Sequence, residues 1–73
     1  MSVEDKTRTS DPTYNLVSVI YHALQGAETC ERYIADVDER GDKELADFFR
    51  DAQRHNADIA ERGKALLRTR LDQ

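Results

Sequence analysis

Arg40-Gly41-Asp42 divides the chain into two nearly equal stretches that no proline interrupts, and the only proline, Pro12, stands where the first stretch begins. Both stretches carry apolar residues at helical spacing, so this punctuation leaves few folds open. Asp11 can cap the free backbone N–H groups of a helix, and proline suits the first helical position. Gly41 suits the left-handed position that follows a helix, and Asp42 can cap the next one. The spacing predicts a helix over 12–40, a turn at 41–42 and a helix over 43–71. Each helix has about 28–30 residues and is roughly 43 Å long at 1.5 Å per residue. A turn this short makes its helices antiparallel neighbours. The expected fold is all-α, an antiparallel two-helix hairpin. Residues 1–11 are mostly polar and lack a period, which predicts a disordered N-terminal tail before the cap.

On the first helix, Val17, Ile20, Tyr21, Leu24, Ala27, Ile34 and Ala35 form one broad stripe, widened by Tyr14 and Leu16. On the second, the stripe is Leu45, Phe48, Phe49, Ala52, Ile59, Leu66 and Leu67. With the turn near Gly41, residues whose numbers add to roughly 82–83 should face each other. Ile34 then meets Phe48, Leu24 meets Ile59, and Ile20 meets Gly63. Gly26 and Gly63 lie mid-helix, where each costs about 1 kcal/mol against alanine, and close approach of the two backbones is one compensation. Glu28–Arg32, Asp36–Arg40 and Asp58–Arg62 have the favourable order for i, i+4 ion pairs on solvated faces.

Two helices alone bury only a narrow seam on each other, and both stripes are wider than that. A chain of 73 residues is also near the lower limit for an independent core. Cys30 is the only cysteine, so no disulfide can staple one chain. The expectation is a homodimer, two hairpins closing a four-helix bundle, with a higher oligomer as competitor. A groove that accepts its own twin can also accept another helical protein. Val19, Val37, Tyr33 and Cys30 fall off the main stripes. The net charge of −4 argues against a nucleic-acid partner. The absence of a long apolar run argues against a membrane partner, and with the lone thiol it leads to the expectation of a cytoplasmic protein.

Acids break the first stripe. Glu31 falls near its middle and Glu28 within it, while Asn56 lies inside the second stripe with His55 on its flank. Burying carboxylates is costly unless they are paired, protonated or bound to a cation. A two-fold dimer would double the set to four Glu and two His. Two readings follow. One is a hydrogen-bonded network that fixes register, with Arg50 or Arg54 neutralising the acids. The other is a metal site, for which carboxylate and imidazole suit iron, manganese or zinc.

The stretch HALQGAETCERYIADVDERGDKELADFFRDAQRHNADIAERGKALL, within 15–71, resembles a half-bundle of the ferritin-like superfamily. Glu28 followed by Tyr33, and the acidic hairpin GDKELADFF, carry the resemblance. The plan is similar to that of encapsulated ferritins, whose two-helix chains form a metal site only at a dimer interface. The resemblance implies iron binding, with ferroxidase-like activity if the protein is an enzyme, and Glu28, Glu31 and His55 as ligands. The family's Glu-x-x-His is absent. Ala52 stands three residues before His55, and Asp51, four residues before it, lies at the edge of the stripe without an assigned role.

Overall fold

The computed structural model describes residues 11–72, and the segment 1–10 expected to form most of the tail lies outside them. The described residues form two helices and no strand: α1, Pro12–Glu39, and α2, Lys43–Leu71. Both begin as their sequences require. The Asp11 carboxylate accepts from the Tyr14 N–H at 3.0 Å, and that of Asp42 accepts from the Leu45 N–H at 3.2 Å. Each bond satisfies one of the N–H groups that a first helical turn leaves without an internal partner.

The turn is a Schellman motif. Gly41 has φ +75°, its N–H donates to the Asp38 carbonyl at 3.0 Å, and the Asp42 N–H donates to the Val37 carbonyl at 2.9 Å. Asp42 thus closes α1 through its backbone and opens α2 through its side chain. No residue is spent between the two functions, so the helices double back at once and run antiparallel. In α2, Glu44 lies in the first turn and Arg68 and Arg70 in the last, which favours both ends of the helix dipole.

The seam follows a heptad rhythm. Ile20, Ala23 and Val37 are buried from α1, with Leu16, Ala27, Cys30 and Ile34 half-buried on the same line. From α2, Ala46, Ala60 and Gly63 are buried, with Phe49, Gln53, Asn56 and Leu67 half-buried. Alternating steps of three and four residues are the spacing of a left-handed coiled-coil contact. The seam is centred differently from the predicted stripes. Val37 and Cys30, expected off the stripe, belong to it, whereas Tyr21 and Leu24 stay exposed at 59% and 42%. The reason is size. Ala23, Ala46, Ala60 and Gly63 let the backbones come close, and the bulky residues are displaced to the flanks.

Register agrees with the expectation where it is most sharply defined. A Cβ built on Gly63 would lie 2.6 Å from Ile20 Cγ1, so these two residues do face each other. One built on Gly26 would lie 2.8 Å from Asn56 Nδ2. Each mid-helix glycine therefore gives room to a side chain of the other helix, Ile20 at Gly63 and Asn56 at Gly26, where the expectation was close approach of the backbones. Near the turn it is Phe49, not Phe48, that turns inward: its ring lies 5.5 Å from that of Tyr33, while Phe48 is 65% exposed.

Candidate functional site

Halfway along the seam a short polar layer replaces apolar packing. Gln53 reaches across and donates from Nε2 to the Ala27 carbonyl at 3.3 Å. Asn56, one turn later, lies against Gly26. The missing Cβ of Gly26 makes room for the Asn56 amide, and Gln53 ties α2 to one level of α1. A half-buried polar group that loses its partner on a shift is left unpaired where water reaches it only in part, which penalises helix sliding. Gln53 is the residue that sequence reasoning missed. Its signal was its place in the series Ala46, Gln53, Ala60, Leu67, one residue every seven.

The two flanks of the seam differ. Tyr33 and Asp38 lie about 140° apart around α1, at 100° per residue, one on each side of the line through Ile34 and Val37. Tyr33 meets Phe49 on one flank. On the other, Asp38 accepts from Arg50 at 2.7 Å. Stepping along each helix by sevens assigns the remaining residues. The Tyr33 flank carries Val19 and Gly26 from α1 and Leu45, Phe48, Ala52, Ile59 and Leu66 from α2. The Asp38 flank carries Val17, Leu24 and Glu31 from α1, with Tyr14, Tyr21 and Glu28 further round, and Arg50, Ala57, Lys64 and Leu71 from α2.

This division places the residues proposed as metal ligands. Glu28 and Glu31 are exposed and lie on the Asp38 flank; His55 is exposed and, seven residues after Phe48, lies on the Tyr33 flank. The acids were expected inside the stripe and opposite His55, but no charged or polar residue is buried among the described residues. The stripe's apparent centre was drawn toward Glu31 by Val17, Tyr21, Leu24 and Ala35, all of which lie outside the seam. Asp51 is paired with Arg54 on the solvent side. Among the described residues no group of three or more His, Cys, Asp or Glu side chains is arranged to hold a metal ion. Within one hairpin, the ligand set for iron, manganese or zinc implied by the ferritin-like resemblance is not assembled.

The remaining charges are mainly local. Asp36–Arg40 at 3.5 Å and Asp58–Arg62 at 3.6 Å form as expected, joined by Glu61–Lys64 at 3.2 Å. Glu28 and Glu31 enter no ion pair among the described residues, so the expected Glu28–Arg32 pair is absent from them. At the open end of the hairpin Pro12, Thr13, Leu16, Leu66 and Arg70 line a notch of about 130 Å³. That is well below the roughly 300–1,000 Å³ usual for small-molecule sites. No described helix is long and apolar enough to cross a membrane. Searches against family models, curated proteins and solved structures found no match.

Proposed function

We propose that this protein is a self-associating helical hairpin that serves as a structural or protein-interaction module. One observation carries the reading: the hairpin buries little and exposes much. Among the described residues the buried apolar ones are Ile20, Ala23, Val37, Ala46 and Ala60, three of them alanines, and no large side chain is fully enclosed. Ten large apolar side chains are exposed among the described residues, from Leu24 at 42% to Leu71 at 70%. Single exposed apolar residues are ordinary on any protein surface, but here they recur by heptads along both flanks. A second copy covers such a surface at the least cost in new sequence, and two hairpins then make a four-helix bundle.

The mid-seam layer supports the same reading. Gln53, bonded to the Ala27 carbonyl, holds the level at which the helices pair, which keeps the apolar flanks continuous and correctly placed for a partner. The small notch and the mostly paired charges offer no comparable feature for catalysis. Sedimentation velocity across low to high micromolar concentrations tests the proposal. The expected result is a mass above one chain that falls on dilution. A single-chain mass throughout, with helicity retained, overturns it.

A further inference from the structure

We infer that the second copy docks on the Tyr33 flank, the face built from Val19, Tyr33, Leu45, Phe48 and Leu66, and not on the Asp38 flank. This rests on the self-association proposed above and names the surface that performs it. The five side chains are 53%, 50%, 43%, 65% and 55% exposed, in that order. Taking about 150–200 Å² as the full area of side chains of this size, they offer roughly 400–500 Å² per chain. Two copies then remove about 800–1,000 Å² of apolar surface from water. With the usual polar share of somewhat over two fifths, the whole interface comes to roughly 1,400–1,750 Å². That lies within the range of about 1,200–2,000 Å² that specific, stable interfaces bury.

Area alone does not choose between the flanks, because Tyr14, Val17, Tyr21, Leu24 and Leu71 expose a similar amount on the other one. Charge chooses. Glu28 and Glu31 stand on the Asp38 flank within about two turns of mid-helix. A two-fold axis across the middle sets α1 beside its own copy, and the central carboxylates of both copies gather. An axis along the bundle sets α1 diagonally opposite its copy and beside α2 of the partner, so the carboxylates face that helix. Either way they enter the interface and need a free base to meet them. The nearby bases are engaged: Arg50 with Asp38, Arg54 with Asp51 and Lys64 with Glu61. Carboxylates taken into an interface with no free base to meet them oppose association and select against that face. The centre of the Tyr33 flank holds Gly26, Ala52 and His55 and no carboxylate. Its outlying charges are already matched, Asp36 with Arg40 and Asp58 with Arg62.

Paired single substitutions test the assignment. Phe48→Glu and Tyr21→Glu replace aromatic residues of similar exposure on opposite flanks, each outside the hairpin's own seam. Sedimentation velocity with far-UV circular dichroism should give a two-chain mass for the natural sequence and for Tyr21→Glu, and loss of that mass for Phe48→Glu. If Phe48→Glu loses its helicity, Phe48→Ala decides, with an expected tenfold or greater rise in the dimer dissociation constant. A rise below twofold overturns the assignment, as does a dimer lost in Tyr21→Glu but kept in Phe48→Glu. So does a natural assembly larger than two chains. A natural sequence that is monomeric overturns self-association itself, so failure of the module reading and failure of the assignment give different results.

Discussion

Replacing Gly63 by alanine should destabilise the hairpin, although on helix propensity alone the change should stabilise it. Alanine is favoured over glycine in a helix interior by about 1 kcal/mol. Against that gain stands a steric cost, because the new Cβ would lie 2.6 Å from Ile20 Cγ1 and 3.2 Å from Cδ1. Carbon atoms in contact prefer about 3.5–4.0 Å, so the overlap with Cγ1 is close to 1 Å. Ile20 has little freedom to move aside, since a β-branched side chain in a helix has one strongly preferred χ1. Overpacking typically costs about 1–3 kcal/mol, and an overlap this deep against a branched stem belongs to the upper part, about 2–3 kcal/mol, so the expected net loss is about 1–2 kcal/mol. The shift in midpoint is then roughly 4–15 °C, at about 4–8 °C per kcal/mol for a domain of this size.

Ile20→Ala gives the decisive comparison. It removes Cγ1 and Cδ1, and the next atom out from the new methyl is Leu16 Cδ1, at an ordinary 3.7 Å. In that background Gly63→Ala should therefore stabilise by about 1 kcal/mol, the propensity gain alone. The sign reverses, and the coupling between the sites is about 2–3 kcal/mol, the upper part of the range for residues in contact. Urea and thermal unfolding of the four proteins, followed by circular dichroism at one chain concentration, measures it; fixed concentration matters because association shifts apparent stability. An equal effect of Gly63→Ala in both backgrounds would refute the argument that Ile20 is what makes glycine necessary. Gly26→Ala is the control, since it meets the end of the Asn56 side chain rather than a branched stem. Asn56 can swing away, so this substitution should be neutral or stabilising by up to about 1 kcal/mol.

Gly41→Ala should cost about 1–2 kcal/mol through backbone conformation alone, because φ is +75° and no atom lies within 4 Å of the added carbon. Gly41→Asn should recover part of the loss in the same unfolding assay, and an alanine variant as stable as the natural sequence would contradict the Schellman assignment. Asp42→Ala removes the cap on Leu45 and should cost about 1 kcal/mol. Anaerobic titration with Fe(II) or Zn(II), read by calorimetry, should show no stoichiometric site, because one interface cannot collect Glu28, Glu31 and His55 from opposite flanks. Tight binding abolished by both Glu31→Gln and His55→Ala would show that the flanks are drawn incorrectly.

The parts of this fold legible in the sequence are those set by local chemistry. Asp11 and Pro12 start α1, Gly41 ends it, and Asp42 starts α2, each through backbone bonds that need no distant residue. The antiparallel register followed from the shortness of the turn, and Ile20 opposite Gly63 agrees with it. The angular position of the seam was not legible from hydrophobicity. A stripe weighted by side-chain size points toward Tyr21, Leu24 and Phe48, yet helices approach most closely where side chains are smallest. Ala23, Ala46 and Ala60 add little to such a stripe, although two of the three are less than 2% exposed. Once the stripe was rotated toward Val17 and Leu24, Glu28 and Glu31 looked buried and seemed to face His55.

The corrected seam also changes what the wide apolar surface means. A hairpin with a large-residue seam would use most of its hydrophobic side chains internally and leave a polar exterior. Here the seam takes alanine and glycine, and Tyr33, Leu45, Phe48 and Leu66 are left outside at intervals that follow the same heptads. Close packing inside and an apolar flank outside are therefore one design choice, since a seam narrow enough for Gly63 has no room for them. Gln53 then gains a second use. A slip of the helices past one another would offset the α1 and α2 halves of the flank and break it into separate patches. Holding α2 to the Ala27 carbonyl keeps the two halves level. Gln53→Leu should accordingly keep the helicity of the hairpin while broadening its assembly into several species in sedimentation velocity. A single sharp two-chain species from that variant would show that apolar packing alone sets the register.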